Sequence, residues 1–123
     1  MKENGNAIKN DQKAEKRAEM LEPQYRIEFF LDEIVNGNEC PYEPAYRIER
    51  WLARIAGKDI STPVPEYRID YYLAKIAGDD VPIPEPIHRI EKYLAALCGE
   101  AIEVPEPIYR IEYWLAEWIS KQK

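Results

Sequence analysis

One phrase recurs five times in this chain at a fixed step, and it constrains the fold more than any other feature. The copies begin at Pro23, Pro44, Pro65, Pro86 and Pro107, 21 residues apart with no insertion. A constant period of this kind marks a repeat array rather than a single globular core. Numbering each copy from its proline as slot 1, slot 4 is always arginine: Arg26, Arg47, Arg68, Arg89 and Arg110. Slot 5 is always Ile and slot 9 always Leu. Slot 6 is acidic: Glu28, Glu49, Asp70, Glu91 and Glu112. Slot 8 is aromatic: Phe30, Trp51, Tyr72, Tyr93 and Trp114. Slot 12 is Ile34, Ile55, Ile76, Leu97 and Trp118, and slot 3 is Tyr25, Tyr46, Tyr67, His88 and Tyr109.

At about 100° per residue, slots 5, 8, 9 and 12 fall on one apolar stripe, with the slot 4 arginine and slot 6 acid on opposite flanks. Slots 3 and 10 form a smaller second face. Proline at slot 1 suits the first turn of a helix, so the helices are expected to start there. Glu22, Glu43, Glu85 and Glu106 precede those prolines and lie four residues before an arginine, a favourable spacing within a helix. Gly57, Gly78 and Gly99 are expected to end helices in the left-handed conformation, as is Asn36-Gly37 in the first repeat. A helix of 13 residues is about 20 Å long, and an extended seven-residue connector spans about 22 Å. Each connector can therefore run back along its helix. The expected fold is all-α: five short helices joined by Pro-rich extended connectors, forming either a one-helix solenoid or helices strung along a partner. A lone helix of this length is marginal in water, so each copy needs a neighbour.

Residues 1–20 read as a polar N-terminal tail and 21–123 as the five-repeat array. Lys9 to Met20 contains good helix formers. The formal charge is −6, which disfavours nucleic acid or an anionic membrane as partner. No apolar run approaches a membrane span, and the first residues do not look like a signal peptide. Cys40 and Cys98 fall in different slots and read as free thiols.

An active site is normally built once per chain, so a triplet made five times is not expected to be catalytic. No metal-ligand cluster, phosphate loop or cofactor motif stands out, and His88 reads as a tolerated replacement for Tyr. The arginines and slot 6 acids are expected to pair between helices or with a partner. The slot 8 aromatics and Trp118 are expected to pack between repeats or to dock a partner. Apolar stripes in the first and last repeats also offer self-association.

The run from Pro84 to Leu94, and again from Pro105 to Leu115, resembles the PEPxxRIExYLxxIAG motif of structural proteins of tailed bacteriophages, including head fibre-like proteins. The resemblance covers Leu21 to the last residue. It implies a non-enzymatic virion component, made in the host cytoplasm and docked by repeated motifs on the capsid or another multi-copy assembly. The alternative from the residues themselves is a solenoid adaptor that binds a single protein or peptide.

Overall fold

A computed structural model describes residues 14–122. They form a short helix α1 (14–20) and five repeat helices: α2 (Arg26–Asn36), α3 (Arg47–Ile55), α4 (Arg68–Ile76), α5 (Arg89–Leu97) and α6 (Arg110–Lys121), with no strand among the described residues. Each repeat helix packs on the next, and α6 packs on α2. The array is thus a closed ring of five helices. Equivalent slots pair across every interface, so the helices are parallel and their N-termini share one face.

The helices begin at slot 4, not at the proline. Slot 3 is the N-cap in every repeat, with extended backbone such as φ −106°, ψ 156° at Tyr25. The cause is the slot 6 acid. It occupies the third helical position and accepts the N–H of its own slot 3 residue, as in half of a capping box. Residues ahead of the cap are therefore extended, and the expected Glu22–Arg26, Glu43–Arg47, Glu85–Arg89 and Glu106–Arg110 pairs do not form. Each arginine reaches into the next repeat instead.

At the other end α3, α4 and α5 finish in a Schellman closure, whereas α2 ends on the single bond from Gly37 N–H to Glu33 O (3.0 Å). Lys58 N–H donates to Ala53 O (3.0 Å) and Gly57 N–H to Arg54 O (3.0 Å). Gly57 has φ +105° and Gly78 φ +100°, where a side chain is strained. Beyond the glycine the connector returns along its helix. Tyr72 Oη donates to Pro84 O (2.6 Å), and Tyr93 Oη donates to Pro105 O. Ile60, Val81 and Ile102 from the connectors pack on the core.

Slots 5 and 9 face the ring axis. They line a small cavity of about 40 Å³, joined only by Trp118. The lining is aliphatic apart from that indole, so the shaft is expected to be dry. Slot 8 fills the walls: Phe30, Trp51, Tyr72, Tyr93 and Trp114 are all essentially inaccessible. Burying each contributes roughly 1.5–3 kcal/mol. Trp51 Nε1 and Trp114 Nε1 are buried without an acceptor, whereas the tyrosines in the same slot use their hydroxyls on the connectors.

The expectation of sticky terminal stripes is overturned. Leu31 and Val35 at one end of the array and Trp114, Leu115 and Trp118 at the other are buried, because the first and last repeats meet at the ring seam. The tail is helical over 14–20 and touches the ring there: Arg17 pairs with Glu117, and Arg110 Nη1 donates to Glu19 O (3.3 Å). Residues 1–13 of the expected tail lie outside the described residues.

Candidate interaction face

Five nodes on one plan, four of them alike, are built from slots 4 and 6. Arg26 donates to Glu49 through Nε (2.9 Å) and Nη2 (2.8 Å). Arg68 does so to Glu91 (2.8 and 3.1 Å), Arg89 to Glu112 (2.8 and 2.8 Å), and Arg110 to Glu28 (2.7 and 2.8 Å). Such two-pronged pairs fix direction as well as charge. The third node differs. Asp70 is one methylene shorter, takes only Arg47 Nη2, and leaves Arg47 Nε buried without a partner.

Each carboxylate also accepts two amides of its own repeat. For Glu91 these are Ile87 N–H (2.9 Å) and His88 N–H (3.3 Å). Each guanidinium in turn donates to a backbone carbonyl just ahead of the next proline, as Arg89 does to Glu106 O (2.9 Å). A node therefore ties a helix start, a connector end and the neighbouring helix together. The acids are buried, and all five titrate below their ordinary range. Burial pushes the Glu91 carboxyl up, but the Arg68 guanidinium and the two amides outweigh it and bring it down to about 2. The same contest, with burial the largest opposing cause, lowers Glu28 and Asp70. At Glu49 and Glu112 the arginine bond is the largest cause.

Slot 3 caps the nodes on the outside. The Arg26 guanidinium lies 5.6 Å from the Tyr46 ring centre, Arg47 5.5 Å from Tyr67, Arg89 6.0 Å from Tyr109 and Arg110 5.7 Å from Tyr25, all in the range of cation–π contact. In the fourth repeat His88 takes the tyrosine's place, also exposed. These aromatics form a crown around the N-terminal face. Between Tyr46 and Tyr67 lies a cleft of about 420 Å³, lined also by Arg47, Ile48, Ile69 and Asp70.

The crown gathers all the large exposed apolar groups of the described residues. Tyr25, Tyr46, Tyr67, Tyr109, Ile87, Ile108 and Val64 are each more than half exposed, up to 78% for Val64. All occupy the three positions around the proline that lie at the helix N-termini. The sequence alone did not single out this face, because slot 3 read as a second packing surface. The signal was present in Ile87 and Ile108, apolar residues outside the main stripe. The stripe aromatics Phe30, Trp51, Tyr72, Tyr93, Trp114 and Trp118 are placed inside the ring, out of a partner's reach.

Among the described residues no helix is long and apolar enough to cross a membrane, and no three His, Cys, Asp or Glu side chains converge as metal ligands. No protein-family model, curated protein or solved structure matches this chain.

Proposed function

We propose that this chain is a non-enzymatic accessory structural protein of a bacteriophage virion, which docks on the capsid or another multi-copy assembly through its aromatic crown. The observation that carries the docking role is the segregation of the large exposed apolar side chains of the described residues onto one face of the ring. Contiguous exposed apolar surface of this kind marks interaction sites, and Tyr and Arg are favoured anchors there. The virion assignment rests on the phage-like motif. A closed ring tied at five joints by arginine pairs to buried carboxylates suits a scaffold better than a peptide-wrapping adaptor, whose stripe would have to be open. The test is mass spectrometry of purified particles with copy number. Presence at a fixed stoichiometry is expected. Absence from particles, with the protein free in infected-cell extract, overturns the virion assignment.

A further inference from the structure

The crown carries a charge pattern that narrows its partner. The five guanidiniums of the face are each matched by a buried carboxylate, so the nodes contribute no net charge. What remains exposed is Glu22, Glu43, Glu66, Glu85 and Glu106. Four of these stand just ahead of a slot 1 proline. The third repeat has Val64 there, yet Glu66, two residues on, restores the carboxylate, 3.7 Å from Arg47. Each repeat thus supplies one exposed acid beside one crown aromatic. The face is an apolar and aromatic crown with five carboxylates set around the same axis.

We propose that this face binds coaxially to a five-fold symmetric protein assembly, the pentameric vertex of the capsid, whose surface carries lysines or arginines around an apolar centre. The proposal rests on the virion reading above and names the site on the particle. Five nodes around one axis, each flanked by a crown side chain, can all be engaged at once only by a partner that repeats the same contact five times around that axis; the one at Arg110 is also touched by the 14–20 helix. A ring that is covalently one chain presents its contacts pre-ordered, so each added contact raises affinity without a new association cost. Six-fold capsomers fail this match, because only part of the crown could be in register at a time. The ring of acids specifies a basic partner surface and rejects an acidic one.

The experiment uses purified capsids of the virus that encodes the chain and the full-length protein, imaged by cryo-electron microscopy without imposed symmetry. Binding is quantified by co-sedimentation at two salt concentrations. One ring on each five-fold axis, crown inward, is expected. A triple reversal, Glu43→Lys, Glu85→Lys and Glu106→Lys, alters only exposed side chains and is expected to weaken binding by at least about tenfold. Its helical circular dichroism should be unchanged. Tyr46→Ala with Tyr109→Ala tests the aromatic contacts in the same way. Rings found on six-fold capsomers or scattered off-axis, or equal binding by the charge-reversed variant, overturn the five-fold proposal and leave the virion reading standing. No binding to capsids at all overturns both.

Discussion

Arg110 and Glu28 lie 82 residues apart, yet they make the same two hydrogen bonds as Arg89 and Glu112, which are separated by 23. The seam of the ring is therefore chemically equivalent to its internal joints. A consequence is that Glu28→Gln and Glu91→Gln should be destabilising to a similar degree. Removing one charge of a buried pair costs about 3–5 kcal/mol. Here the arginine side is partly solvated, so about 1–3 kcal/mol is the expected loss. Urea unfolding of both variants checks it; a seam variant as stable as the parent would show the ring to be held by other contacts.

The third node predicts a stabilising change. Asp70 cannot reach Arg47 Nε, which stays buried and unpaired. Asp70→Glu supplies the missing methylene and copies the other four repeats. The gain should be about 0.5–1.5 kcal/mol, that of one further hydrogen bond in place of an orphaned donor. Thermal melting of the single variant reads it directly. A lower melting temperature would mean that the local backbone has adapted to the shorter acid.

Gly78 tests the helix end in isolation. A Cβ built there meets nothing within 4 Å, so no clash complicates the substitution, but its φ is +100°. Gly78→Ala should cost about 1–2 kcal/mol through backbone strain alone. Asp80→Ala, two residues on and exposed, serves as the control and should change little.

Much of this architecture was legible in the period. The period implied the five repeat helices, the extended connectors and the left-handed glycines, and the flanking positions of slots 4 and 6 suggested pairing between helices. The helix start was misread because proline is a familiar first-turn residue. The better indicator was the acid at slot 6, whose carboxylate caps the slot 3 amide and moves the start three residues on. Closure was not legible, because it depends on the angle between successive helices, which side-chain packing sets. One sequence sign did point to it: Phe30 and Trp114 keep the apolar stripe at both ends, where an open solenoid would carry polar caps.

The nodes also fix the acid limit of stability. All five carboxylates titrate below their ordinary values in the folded ring. Their contribution is complete above the unfolded carboxylate pKa of about 4. It is lost as pH falls through the folded values, down to about 2 for Glu91. All five groups lose their pairs as pH falls below the ordinary carboxylate range, so acid unfolding below about pH 4 should be steep. Circular dichroism against pH, with 0.5 M salt as a second condition, measures it. A ring that keeps its helices and melting temperature at pH 2 would show that the pairs set register without adding stability.

Deleting one repeat tests whether closure needs five. Removal of residues 65–85 excises one period and rejoins equivalent slots, so every remaining local joint is intact. Four helices at the native angle leave a gap a fifth of a turn wide, and the seam of α2 on α6 cannot form. The freed surfaces include Phe30, Leu31, Trp114 and Trp118, all buried in the parent. Exposed surface of that size drives association, and the open ends are mutually complementary: Arg110 of one copy fits Glu28 of another. The four-repeat chain should therefore form head-to-tail oligomers while the parent stays monomeric, as read by light scattering coupled to size exclusion. Adding Arg110→Glu should shift those oligomers toward smaller species. A monomeric, cooperatively melting four-repeat protein would show instead that the angle between helices adjusts to the number of repeats.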